Sequence, residues 1–179
     1  MSFSDAVRTC FRKYVTFSGR ASRPEYWYFV LFGILGSILI GIVEGLLFGT
    51  AEISTGHGSI EATSDGPLSA IFSLLLILPT LSAGWRRMHD SGRSGLYLLY
   101  PIIAVIGTAS YAAFIGGLSF DGVISEGMAS RFDGLAGGVL ALAIAVCAFS
   151  PFIVIFWLTR PSQPGENAWG PAPAGRTAA

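Results

Sequence analysis

Residues 26–49 read YWYFVLFGILGSILIGIVEGLLFG and contain a single charged side chain, Glu44. A helix rises about 1.5 Å per residue and the hydrocarbon core of a bilayer is about 30 Å thick, so about 20 apolar residues cross it. This stretch therefore predicts a membrane helix. It is far longer than the apolar region of a signal peptide, about 7–15 residues, and is read as an uncleaved first span. Three further stretches qualify, at Leu68–Trp85, Leu96–Leu118 and Leu135–Leu158. Pro79 and Pro151 fall inside the second and fourth, and each predicts a bend where the ring removes a backbone donor.

Composition agrees with four spans. Of the 179 residues 52% are hydrophobic and 12% charged, against about 25% charged in soluble domains. Lysine plus arginine equals aspartate plus glutamate at eleven each, which argues against a nucleic-acid binder with a broad basic face. Cys10 and Cys147 have neither disulfide nor metal-ligand spacing, so no cofactor or metal is expected.

Orientation follows from the basic residues, because translocation disfavours them close to a span. Arg8, Arg12, Lys13, Arg20 and Arg23 precede span one; Arg86, Arg87 and Arg93 lie between spans two and three; Arg160 and Arg176 follow span four. The other two connections carry only Arg131 among six acids. The expected fold is an all-α membrane protein of four transmembrane helices in the bacterial inner membrane, both termini cytoplasmic. Its parts are a cytoplasmic amphipathic segment at 1–25, a transmembrane domain at 26–160 and a flexible cytoplasmic tail at 161–179. Tyr26, Trp27, Tyr28, Trp85, Tyr97, Tyr100 and Trp157 mark the inner boundary.

In the N-terminal segment Phe3, Ala6, Val7, Cys10, Phe11 and Tyr14 recur at helical spacing, with Arg8, Arg12 and Lys13 on the other side. Two readings stand level: a helix lying on the membrane surface with its basic face toward anionic lipid headgroups, or one packed under the bundle by protein contacts. The tail after Arg160, rich in proline, glycine and alanine, is expected to be extended or disordered.

Along span one, Gly33, Ser37, Gly41, Gly45 and Gly49 form a stripe of small residues suited to close helix contact, and Ala104, Thr108, Ala112 and Gly116 offer a counterpart in span three. Glu44 shares the face of Ser37. An intramembrane carboxylate is a candidate for proton or cation handling, but near a helix end it can simply reach water, the plainer reading. An internal echo is also present: Ser18-Gly19-Arg20 and Ser91-Gly92-Arg93 are 73 apart, and Pro79/Pro151 and Trp85/Trp157 each 72. Two tandem helical hairpins would produce this pattern; topology alone also puts arginine and tryptophan at these ends.

Two polar segments are more specific than topology requires: FSGRASRPEYW at Phe17–Trp27 and RRMHDSGRSG at Arg86–Gly95. Pro24 and Glu25 suit the first turn of a helix, and Gly92 and Gly95 a tight reversal. With the tail segment GENAWGP at Gly165–Pro171, these motifs make the chain resemble the bacterial inner-membrane proteins of domain-of-unknown-function family 805. Leu96 stands where members usually carry an aromatic residue. The resemblance implies a small multi-span inner-membrane protein and brings no established activity.

Arg20, Arg23, Glu25, Arg86, Arg87, His89, Asp90 and Arg93 are thus expected to meet at the cytoplasmic boundary. They could form a structural lock of arginine–carboxylate pairs, or bind an anionic lipid headgroup or a partner through excess positive charge. The lone His89-Asp90 pair falls short of a nucleophile–base set or a metal site, so no enzymatic activity is expected. The competing reading is a small transporter or channel using Glu44, which with four helices would have to form a homo-oligomer.

Overall fold

The computed structural model describes residues 1–48, 55–56, 59–60, 66–116 and 134–173. The acidic residues of the two connections, Arg131, Arg176 and Gly49 lie outside the described residues. The chain forms α1 (Phe3–Arg12), α2 (Arg23–Phe48), a short antiparallel pair β1 (Thr55–Gly56) and β2 (Ser59–Ile60) with Thr55 opposite Ile60, α3 (Pro67–Asp90), a 3-10 helix (Gly95–Leu99), α4 (Tyr100–Gly116) and α5 (Gly134–Thr159). Four of these segments are long and apolar enough to cross a membrane. Their outward faces carry bare large side chains such as Leu46 at 82% exposure and Phe114 at 86%. A soluble fold does not leave apolar surface on that scale in water, and a bilayer covers it.

The chain divides into two compact units, 1–92 with 162–179, and 93–161. In the first, α2 and α3 form a hairpin and α1 packs against both. Ser2 and Asp5 close a capping box at the start of α1, and Ala6 and Cys10 point inward. Cys10 joins Phe29, Leu76 and Ala83 in a core flanked by Tyr26, Phe32 and Phe72. Phe11 stands edge-on to both Phe29 and Phe32, at 5.5 and 5.8 Å. The N-terminal helix is therefore held by protein contacts while Arg8, Arg12 and Lys13 stay exposed.

The contact between α2 and α3 departs from the small-residue stripe. A Cβ on Gly33 would lie 3.5 Å from Leu76 Cδ1, and one on Gly36, a position outside the stripe, would lie 2.4 Å from Phe72 Cζ. Ser37 and Gly41 of the stripe are exposed instead. Large rings at Phe29, Phe32 and Phe72 decide where the helices touch, and Gly36 accommodates one of them.

The second unit is a hairpin of α4 and α5 with the 3-10 helix leading into α4. Thr108 Oγ1 donates to Ala143 O at 3.2 Å and Tyr111 OH to Ala136 O at 3.1 Å. Polar atoms on α4 thus bond to the backbone of α5, as suits helices that gain no hydrophobic drive from association in lipid.

Both proline interruptions are answered. Pro79 offers no N–H to Leu75 O, and Tyr14 OH donates to that carbonyl at 2.6 Å. Pro151 leaves Cys147 O in the same state, and Ser150 Oγ donates to it at 2.8 Å. A carbonyl abandoned in hydrocarbon is costly, and hydroxyls commonly take over for proline in membrane helices.

Candidate functional site

Helix α3 does not stop at Trp85, where its apolar run ends, but continues through Arg86-Arg87-Met88-His89-Asp90. All five of these residues are buried, Arg86, Arg87 and Asp90 completely. The reversal follows at Gly92, whose φ of +78° belongs to the left-handed region that glycine enters without strain. Gly95, expected to share in that turn, instead opens the 3-10 helix.

Asp90 is the centre of the cluster. Its Oδ1 accepts from Arg20 Nε at 3.0 Å, with Arg20 Nη2 in ion-pair contact at the same distance, and its Oδ2 accepts from Arg87 Nη1 and Ser162 Oγ. Its backbone carbonyl accepts from Gln163 N at 2.8 Å. Arg20 spends its remaining donors on carbonyls of the C-terminal segment: Nη1 on Gly165 O at 2.6 Å and Gly170 O at 3.4 Å, Nη2 on Gln163 O. Gly165 has φ +70°, so the carbonyl facing Arg20 comes from a backbone turn that other residues enter only with strain.

The segment from Ser162 to Gly170 is accordingly docked, in contrast to the extended or disordered tail expected from its composition. Asn167 and Gly170 exchange backbone hydrogen bonds at 3.1 and 3.0 Å, and Asn167 Nδ2 donates to His89 O at 3.0 Å. The His89 ring stacks on Trp169 with centroids 4.8 Å apart and planes 11° apart, and meets Trp85 edge-on. His89 Nδ1–H donates to Gly19 O at 3.1 Å. Ala21 N donates to Arg86 O at 3.0 Å, tying the N-terminal segment to the same helix end.

Glu25 and Arg86 form a second buried pair, through Glu25 Oε1 and Arg86 Nη1. Nε and Nη2 of Arg86 are buried without a hydrogen-bond partner among the described residues. Cys10 lies beside this pair, its Sγ 3.8 Å from Glu25 O. Burial pushes the Cys10 thiol up to about 11, as desolvation does for any group that is charged when deprotonated.

Of the eight residues singled out in the sequence, the first unit brings together Arg20, Glu25, Arg86, Arg87, His89 and Asp90. Arg23 is the first residue of α2 and half-buried. Arg93 belongs to the second unit, where its guanidinium stands over the Trp157 ring at 5.4 Å. The residues that the sequence reading did not include are Ser162, Gln163, Gly165, Asn167 and Trp169. A polar and aromatic patch in an otherwise proline- and alanine-rich tail was the available signal.

Glu44 is buried, and its carboxylate sits at the start of α3. It accepts from Leu68 N at 2.7 Å and from Ser69 Oγ. The N-cap residue of α3, Gly66, has no side chain to do this, and a Cβ there would fall 1.9 Å from Glu44 Oε1. The acid therefore does not simply reach out to water but caps a helix at its positive dipole end.

A family model described as "Protein of unknown function (DUF805)" matches residues 14–171. The chain is 34% identical over 96 residues to "Inner membrane protein YhaH" of Escherichia coli strain K12, covering 54% of this chain and 71% of that protein. It is 33% identical over 96 residues to "Inner membrane protein YhaI" of the same organism, covering 54% and 70%. No solved structure matches the chain.

Proposed function

The chain belongs to the family described as Protein of unknown function (DUF805), and on that premise we propose that it is a non-enzymatic inner-membrane protein whose Arg/His/Asp cluster is a structural lock. The lock fastens the N-terminal segment, the polar end of α3 and the C-terminal segment to one another on the cytoplasmic side, both termini included. The two relatives named as inner membrane proteins support the compartment, and the basic residues flanking the spans support the orientation.

The single observation that carries the lock is the saturation of Asp90. Its Oδ1 is held by the Arg20 guanidinium and its Oδ2 accepts from Arg87 and Ser162, with no exposure to solvent. A carboxylate so engaged is not available as a general base, nor are the guanidiniums around it open to a partner. Exposed Arg8, Arg12 and Lys13 on α1 support contact with anionic lipid headgroups at the same boundary. The transporter reading loses support because Glu44 is committed to capping α3.

Asp90→Asn tests the lock. It keeps the side-chain shape but takes from Arg20 and Arg87 the buried charge of Asp90, a change that costs about 3–5 kcal/mol when a buried pair is broken. The expected result is a lower unfolding midpoint in detergent and faster proteolysis near Glu166. An unchanged midpoint and unchanged protection of the C-terminal segment would defeat the reading.

A further inference from the structure

Arg86 differs from the other guanidiniums of the cluster. Arg20 and Arg87 are held by Asp90, and Arg20 also by carbonyls of the C-terminal segment. Arg86 is completely buried and bound at Nη1 alone, by Glu25. Among the described residues its Nε and Nη2 have no hydrogen-bond partner, and besides Glu25 the neutral Cys10 thiol also acts on Arg86. The N–H bonds of Nε and Nη2 run side by side along one edge of the planar group, and this edge is the fork that grips two oxygens of a phosphate or carboxylate at once.

The surroundings of Arg86 give a second indication. Among the described residues its one carboxylate partner is Glu25, whereas Arg20 and Arg87 pair with Asp90. The neighbouring Cys10 thiol, pushed up to about 11 by burial, is neutral at physiological pH and supplies no counter-charge. As a thiol it is also a weak acceptor for the fork. Arg86 immediately follows Trp85, an aromatic residue of the kind that marks the depth of lipid headgroups.

We propose that the Nε/Nη2 edge of Arg86 is a binding site for a phosphodiester-class oxyanion, enclosed by α1, the first turn of α2 and α3. A phosphodiester carries a negative charge that complements the guanidinium and presents two free oxygens to the fork. This site goes beyond the Asp90 lock and uses none of its donors.

The test uses the full-length protein, delipidated in a neutral detergent, with three probes: inorganic phosphate alone, mixed micelles containing phosphatidylglycerol, and micelles containing uncharged diacylglycerol. Phosphatidylglycerol is expected to raise the unfolding midpoint and to be retained about tenfold better than diacylglycerol in native mass spectrometry. Arg86→Lys keeps a charge against Glu25 but has no fork, and is expected to lose that preference. Cys10→Asp, which sets a carboxylate beside the fork from within the protein, is expected to fold and to displace the lipid. An Arg86-dependent shift with inorganic phosphate would support the site and show that it takes the free anion too. The proposal is overturned if neither phosphate probe shifts the midpoint, or if either folded variant retains phosphatidylglycerol as the unaltered chain does. Asp90→Asn gives a separate readout, so failure of the lock is distinguishable from failure of this site.

Discussion

The phenolic hydroxyl of Tyr14 donates at 2.6 Å to the carbonyl of Leu75, the acceptor that Pro79 deprives of its helical partner. One side chain thus repairs the ladder of α3 and anchors the chain just beyond α1. Ser82 Oγ adds to the same seam, 3.1 Å from Lys13 O.

Tyr14→Phe is expected to destabilise the protein by about 1–3 kcal/mol, since a carbonyl on a membrane-facing helix loses its replacement donor. Pro79→Ala restores the N–H within the helix, so the double variant should lose less than the sum of the two single changes. Thermal unfolding in detergent measures the cycle; strict additivity would show that the two residues do not share one carbonyl.

Glu44→Gln keeps one acceptor oxygen, puts a donor amide in place of the other and removes the charge from the dipole end of α3, and is expected to lower the unfolding midpoint. Gly66→Ala should lower it at least as much, because its Cβ would displace the carboxylate from Leu68 N and Ser69. Neither change is expected to create or abolish ion flux in proteoliposomes, and a flux sensitive to Glu44→Gln would revive the transporter reading.

In a Cys147→Ala background, Cys10 should resist maleimide at pH 7.5 until the protein unfolds, being both inaccessible and protonated. The unfolded thiol titrates near 9.0 and the folded one near 11, so the folded chain holds the proton more tightly. The stability this contributes is complete below the unfolded value and is lost as pH rises from 9.0 towards about 11. Full titration would remove up to about 3 kcal/mol. Unfolding midpoints measured from pH 8 upward, with Cys10→Ala as the reference, check the direction.

Trp169→Ala removes the surface on which His89 stacks. The expected loss is about 0.5–1.5 kcal/mol beyond the area exposed, with the C-terminal segment becoming protease-sensitive while α2 and α3 stay protected. Hydrogen exchange over Ser162–Gly170 is the direct measurement. Unchanged protection there would mean that the hydrogen bonds to Arg20, Asp90 and His89 hold the segment without the stack.

The four spans were legible because crossing a bilayer demands length and apolar content, and both are local properties of sequence. The polar continuation of α3 was not. Arg86-Arg87-Met88-His89-Asp90 looks like a loop until Glu25, Arg20 and Ser162 supply its partners, and these lie far along the chain. Pro79 announced a missing donor but could not say that Tyr14 would answer it. The members of the cluster were recognisable from residue type and topology. The pairing within it, and the part played by Gly165 and Asn167, depend on contacts that no local pattern encodes.

Asp90 draws its donors from far behind and far ahead in the chain, with Arg20 made before the first span and Ser162 after the fourth. During translation the last span must therefore be threaded before the knot of charges can shut. A message cut short ahead of codon 162 would release a chain that is inserted in the membrane yet left with an incompletely satisfied acid, and quality-control proteases would find it by that defect.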